Sequence, residues 1–102
     1  MSVYIDRVSI AFRGMSMCHM IADTLDELHA MADRIGLQRR WFQQPPKASF
    51  PHYDIAQGKR ALAVQNGATD CDRNTFVAHL RRLRPVYGVY GPGNPAPTAI
   101  EE

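Results

Sequence analysis

The sequence is poor in cysteine and has no long hydrophobic run, and each absence excludes a class of protein. Two cysteines, Cys18 and Cys71, in 102 residues are too few for the disulfide framework of a small secreted domain. No stretch approaches the ~20 consecutive apolar residues of a membrane helix. The N-terminus also lacks the basic and apolar regions of a signal peptide. These features predict a cytoplasmic protein with reduced thiols and no membrane association.

The sequence also has no large excess of positive or negative charge. The formal net charge is +2, from 12 Lys+Arg and 10 Asp+Glu, which is too small to predict nucleic-acid binding from total charge. Two groups of arginines, within 34–40 and 81–84, are typical of solvated ends of helices and strands. The apolar fraction of 45% and the charged fraction of 22% are those of a globular chain, and the length suits one domain.

Three helices are predicted. The clearest covers 24–35, where Thr24 and Glu27 form a capping box, apolar residues recur at helical spacing, and Gly36 terminates the helix. Asp54 is a plausible N-cap for a second helix that runs to about residue 66. A third helix is predicted over 73–83 and is stopped by Pro85.

The remaining segments predict a small sheet. The predicted strands are 2–6, 15–22, 37–43 and the short segment 68–71, and the predicted loops are 10–14 and 44–51. This order predicts an α/β domain, a sheet of three to four strands with about three helices packed on it, over 1–85. A Gly- and Pro-rich tail, 86–102, follows and is expected to dock through Tyr87 and Tyr90. The strands at 15–22 and 37–43 are expected to run parallel if they pair.

Polar residues gather at two junctions that lead into predicted helices. His19 and Asp23 lie at one, and His52, Tyr53 and Asp54 at the other. Alone, each junction is explained by turn formation and helix capping. With parallel strands, both helix N-termini would lie at one sheet edge and the five residues would converge, joined by Asp6 if the first strand has the same direction. Such a cluster suits phosphate binding, a divalent metal or acid–base catalysis.

No residue is assigned as a metal ligand from the sequence, and no cofactor is identified. Cys18 and His19 have no second Cys/His pair at zinc-finger spacing. A hydrolytic ion held by Asp6, Asp23 and Asp54 requires a geometry that spacing alone does not define. The sequence has no phosphate-binding glycine loop, serine nucleophile elbow or dinucleotide fingerprint.

Several segments, taken together, resemble a short bacterial and phage family, the domain of unknown function 4031. They are Tyr4–Asp6, Met17–Asp33, Trp41–Gln43, His52–Ile55 and Lys59–Ala61, so the resemblance covers roughly residues 1–70. It implies no activity and supports only the fold and the choice of segments. The sequence departs from the family at Arg7, where relatives have a second acidic residue, and in loop 44–51, which is longer and richer in proline.

Three functions follow from these residues, and whether the protein is an enzyme stays open. The leading hypothesis is a phage-type cytoplasmic protein that binds a phosphate-bearing small molecule or nucleotide. Its pocket would consist of His19, Asp23, His52, Tyr53 and Asp54, with Lys59 or Arg60 as charge partner. The alternatives are a metal-dependent phosphodiesterase or nuclease, and an inhibitor of a host protein complex that uses Trp41, the proline loop and the tail. Homo-oligomerisation is expected under each, because so small a domain has little core.

Overall fold

The computed structural model describes residues 2–87, except for the side chain of Val86, and contains three α helices on a mixed five-stranded sheet. The α/β class is confirmed. The strands are β1 Val3–Ile5, β2 Ile10–Phe12, β3 Met15–Ala22, β4 Tyr53–Ala56 and β5 Thr69–Asp70. The helices are α1 Leu25–Ile35, α2 Gln57–Gln65 and α3 Arg73–Tyr87, with a 3₁₀ helix at Arg39–Trp41. Among the described residues, no helix is long and apolar enough to span a membrane.

Strand β3 is the centre of the sheet. Along one edge it pairs antiparallel with β1 near Met20 and with β2 near Met17. Along its other edge it pairs antiparallel with β4 over residues 17–20. Strand β5 adds to β1 in parallel. The long central strand therefore aligns residues from three separate segments of the chain.

Alternation of side chains along the strands separates two clusters of buried residues. On the face covered by α1 and α2, Cys18 and Met20 of β3 pack with Tyr53 and Ile55 of β4. On the opposite face Ile21 packs with α3, in a cluster completed by Cys71, Phe76, Leu83 and Tyr87. His19 lies on this second face, because it alternates with Cys18 and Met20.

Helix α1 is confirmed, with its caps. Thr24 Oγ1 accepts from the Glu27 N–H at 3.1 Å. The Glu27 carboxylate accepts from the Thr24 hydroxyl and from the N–H of Ser2. Gly36 ends the helix with φ 83°, and Lys59 Nζ donates to the Ile35 carbonyl at 2.8 Å. Both ends of the helix are therefore satisfied by hydrogen bonds.

The strand predicted over 37–43 is wrong. Residues 39–41 form a 3₁₀ turn. Among the described residues, the only β pairing of segment 37–43 is one isolated bridge between Gln43 and His52. Leu37 is buried and Phe42 packs on the core, while 38–41 between them are exposed. This burial does not alternate, so a strand here would put apolar side chains into solvent.

The helix predicted to start at Asp54 begins later, and the segments 15–22 and 37–43 do not pair, because β3 pairs antiparallel with β4 instead. Residues 53–56 form β4, in which Tyr53 and Ile55 are buried and alternate with half-buried neighbours. Helix α2 starts at Gln57, and its N-cap is Ala56 rather than Asp54. Burial of two alternate side chains and pairing with β3 outweigh the capping propensity of the aspartate.

Two further boundaries differ from the predictions. Residues 10–14 form β2 and a two-residue turn at Arg13 and Gly14, both with positive φ, as in a tight β hairpin. Helix α3 continues through Pro85 to Tyr87, which is buried and donates its hydroxyl to the Ala22 carbonyl at 2.5 Å. This contact holds the final turn. Tyr90 and the rest of the predicted tail lie outside the described residues, and β5 falls within the predicted strand 68–71.

Candidate metal centre

Three of the predicted site residues meet on the face of the sheet that α3 covers. His52 and Asp54 are two residues apart along the extended chain, so their side chains share a face. The register between β3 and β4 places His19 directly opposite Asp54. Asp54 Oδ1 lies 3.2 Å from His52 Nε2 and 3.7 Å from His19 Nε2. One ligand atom from each residue lies within 4.8 Å of the others.

The outer nitrogen of each imidazole is fixed by an acceptor. His52 Nδ1 donates to the Phe50 carbonyl at 2.8 Å, and a carbonyl can only accept. His19 Nδ1 lies 2.7 Å from the Asp6 carboxylate. Both Nδ1 atoms therefore carry the hydrogen, so that both Nε2 atoms present lone pairs next to Asp54. This is the arrangement in which proteins hold metal-binding histidines.

The Asp54 carboxylate is satisfied at one oxygen only. Oδ2 accepts from the Gln43 side-chain amide at 2.9 Å. Oδ1 is buried and has no hydrogen-bond partner among residues 2–87. In the neutral rings, with the tautomers set by Asp6 and Phe50, the two Nε2 atoms beside it cannot donate. A buried carboxylate oxygen that faces two lone pairs is costly, and a bound cation would satisfy all three atoms.

Asp6 supports the cluster from a bulge between β1 and β2. Residues 6–9 occupy a stretch opposite only residues 18 and 19, because Ile5 pairs with Met20 and Ile10 with Met17. Asp6 Oδ1 accepts the backbone N–H of His19 at 2.8 Å, in place of a strand carbonyl. Bulges of this kind are common beside functional sites.

Asp6 and His19 shift each other's pKa in opposite directions. Burial would raise the pKa of Asp6, but hydrogen bonds from the side chain and backbone of His19 outweigh it, and the pKa is lowered. The pKa of His19 is raised, because the hydrogen bond to Asp6 outweighs the opposing effect of burial. Asp6 is therefore a carboxylate that makes the His19 ring more basic.

A cleft of about 350 Å³ lies between the sheet and α3 and adjoins the cluster. His19 and Asp6 form part of its wall. The other lining residues are Arg7, Val8, Arg73, Phe76, Val77 and Leu80. The cluster therefore has a space beside it that could admit a small molecule.

The other predicted site residues lie elsewhere or contribute indirectly. Asp23 accepts from Arg82 at 2.8 Å, at the α1 end of β3. Tyr53 is fully buried on the opposite face of β4, where its hydroxyl pairs with His29. Lys59 caps α1. Arg60 reaches the cluster through Asp6, since its Nε donates to the Asp6 backbone carbonyl at 3.2 Å.

Sequence reasoning missed three contributors to this site, namely Gln43, the Phe50 carbonyl and Arg73. A usable signal was present in His52-Tyr53-Asp54, because a His-x-Asp triplet on a strand directs both ligating groups to one face. It was not recognised as a ligand pair because this segment was interpreted as a helix start. The position of Gln43 depends on its bridge to His52, which no local pattern indicates.

One family model matches the chain, that of a family described as a protein of unknown function (DUF4031), over residues 3–83. The match spans β1 to β5 and most of α3, and it includes all residues of the cluster. No curated protein and no solved structure matches the chain.

Proposed function

The chain belongs to the DUF4031 family, and we propose that it is a metal-dependent hydrolase whose single divalent ion is held by His19, His52 and Asp54. One observation carries the proposal. Among residues 2–87, Asp54 Oδ1 is buried without a donor beside two histidine nitrogens that present lone pairs in the neutral rings. Two imidazoles and one carboxylate form a common ligand set for first-row transition metals and leave coordination positions open.

The distances within the cluster fit this use. Ligand atoms about 2.0–2.2 Å from one ion lie roughly 3–3.5 Å apart. The spacings of 3.2 Å and 3.7 Å from Asp54 Oδ1 to the two Nε2 atoms therefore need only small side-chain movements. Asp6, Gln43 and the Phe50 carbonyl hold the outer atoms of the three ligands, so little freedom is lost on binding.

The coordination positions that three protein ligands would leave open on the ion favour hydrolysis. A divalent ion with three protein ligands lowers the pKa of a bound water to about 7 and so supplies a nucleophile at neutral pH. Of the three residues, His19 lines the cleft, and a substrate in the cleft would reach the ion from the His19 side. The hypothesis of a phosphate-bearing ligand fits the same site if that ligand is the substrate.

Metal binding is tested on the full chain without an affinity tag, after treatment with chelator. Zn²⁺, Mn²⁺ and Co²⁺ are titrated by calorimetry, and the visible absorption of Co²⁺ reports its ligands. We expect one ion per chain, with affinity reduced at least about 100-fold in His52→Ala and Asp54→Ala, more than loss of a supporting group costs. His79→Gln is the matched control, because His79 lies on the same side of the sheet but outside the cluster. Equal affinities in all four proteins would exclude this site.

Hydrolysis is tested with p-nitrophenyl phosphate and bis-p-nitrophenyl phosphate as probes. We expect turnover by the metal-loaded protein that EDTA abolishes, that returning the metal restores, and that His52→Ala lacks. Turnover that persists in His52→Ala would assign it to a contaminant and contradict the proposal.

A further inference from the structure

The Arg73 guanidinium lies in the cleft wall and has no partner among residues 2–87. It is the first residue of α3 and lines the cleft together with His19. Within residues 2–87 its side chain forms no hydrogen bond or ion pair. The preceding carboxylate, Asp72, is engaged by the Thr75 N–H at 2.8 Å as a helix cap. Arg73 is therefore an exposed side chain at the border of the cleft, and its donors are free among the described residues.

The charged groups around the cleft leave one positive charge in excess. Asp6 and Asp54 together balance one divalent ion. Arg7 in the wall pairs with Asp70 at 3.0 Å, but Asp70 also pairs with Arg60, so two guanidinium groups share one carboxylate. Asp72 also interacts with Arg7, so that with Arg73 one positive charge remains and the cleft favours an anionic occupant. A phosphate monoester is largely a dianion at neutral pH, since its second pKa is about 6.

The rest of the wall is apolar. Val8, Phe76, Val77 and Leu80 provide its remaining surface, and Phe76 is itself anchored in the core under α3. A volume of about 350 Å³ is at the lower end for small-molecule sites. It suits a compact organic group and does not suit a polymer inserted along its length.

We infer that the substrate class of this site is a phosphate monoester of a compact apolar group, with Arg73 binding the phosphate opposite the metal. This inference rests on the proposed metal site. A guanidinium presents paired N–H donors that match two phosphate oxygens. The Arg73 side chain and the ion would then hold the phosphate from two sides, while Phe76 and Leu80 contact the organic group.

The test uses the Co²⁺-loaded full chain and phenyl phosphate as probe, measured by calorimetry and by the Co²⁺ absorption spectrum. We expect Arg73→Gln to weaken phenyl phosphate binding about tenfold or more without changing the affinity for Co²⁺. Arg81→Gln is the matched control, an exposed arginine of the same helix that does not line the cleft. Benzoate, a monoanion with the same ring, should bind wild type at least about tenfold more weakly.

The outcomes separate this inference from the proposed function. If Arg73→Gln and Arg81→Gln bind phenyl phosphate equally, Arg73 is not the anchor, while the metal site stands. If benzoate binds as tightly as phenyl phosphate, the substrate class is wrong. If the metal-free protein binds phenyl phosphate as tightly as the loaded one, ion and arginine do not form one site. If wild type binds no Co²⁺, the proposed function fails and this inference fails with it.

Discussion

The Asp6 side chain contacts His19 twice, once at the backbone and once at the ring. One carboxylate oxygen accepts the His19 N–H at 2.8 Å and the other lies 2.7 Å from Nδ1. The first contact completes the ladder across a bulge, and the second sets the tautomer of the ring. The buried Asp6 side chain therefore both completes the backbone pairing of β3 and sets the tautomer in which His19 can bind a metal.

Replacement of Asp6 by Asn should weaken metal binding by about 10–100-fold. The amide oxygen can still accept the His19 N–H, but the amide nitrogen then faces Nδ1 as a donor. The ring proton would move to Nε2 and block the lone pair that binds the ion. Calorimetric titration with Zn²⁺ measures the effect. Asp70→Asn removes a nearby exposed carboxylate and should leave the affinity unchanged, and an unchanged affinity in Asp6→Asn would contradict the role given to Asp6.

Stability should fall in mild acid because of His29. Burial, assisted by Arg39, lowers the pKa of His29 below its ordinary value of 6.5. The unfolded state then binds protons more readily, so the contribution of neutral His29 is complete above pH 6.5 and is lost as pH falls through the lowered pKa. Urea unfolding of wild type and His29→Gln at several pH values between 8 and 5 measures this. The variant should lose less stability over that range, and equal losses would refute the assignment.

The core face of α1 should be sensitive to truncation. Leu28 is fully buried between α1 and the sheet, so Leu28→Ala should reduce the free energy of unfolding by about 2–5 kcal/mol. Leu62 on α2 is 41% exposed, and Leu62→Ala should cost about 1 kcal/mol or less. Chemical denaturation measures the free energy of unfolding of both variants, and so compares the same Leu-to-Ala change at a buried and at an exposed position. Similar losses would show that α1 does not pack as described.

Two glycines should respond to alanine with opposite signs. Gly36 has φ 83°, and a Cβ there would lie 3.1 Å from Lys59 Nζ, which caps α1. Gly36→Ala should therefore cost about 1–2 kcal/mol. Gly58 lies inside α2 with no atom within 4 Å of an added Cβ, so Gly58→Ala should stabilise by about 0.5–1 kcal/mol. Thermal unfolding shows both shifts. Destabilisation by Gly58→Ala would indicate that α2 is not helical at this position.

Local signals predicted those elements that local chemistry determines. The cap at Thr24 and the terminator at Gly36 placed α1 correctly. The segment around Asp54 was misinterpreted because an aspartate before polar and small residues has the pattern of a helix cap. Its role in β4 depends on the partner strand β3, about 35 residues earlier in the chain. Pairing between distant segments is the information that a single sequence does not display.

The ligand cluster was predicted in part, and through a different geometry. His19, His52 and Asp54 were expected to meet at two helix N-termini above parallel strands. They meet instead because antiparallel neighbours place His19 directly opposite Asp54. Asp23 and Tyr53 lie away from the cluster. Asp23 is at the far end of β3, and Tyr53 points into the core because it alternates with its two neighbours.

The bulge at residues 6–9 gives this fold a position at which specificity can diverge. Arg7 and Val8 line the cleft, yet they lie outside the pairs that join β1 and β2 to β3. Exchanges at these two positions would alter the charge and shape of the cleft wall without disturbing the ladder or the three ligands. If the proposed function holds, proteins of this fold that keep His19, His52 and Asp54 would differ in substrate through this short segment, much as enzymes on larger folds diverge through their loops.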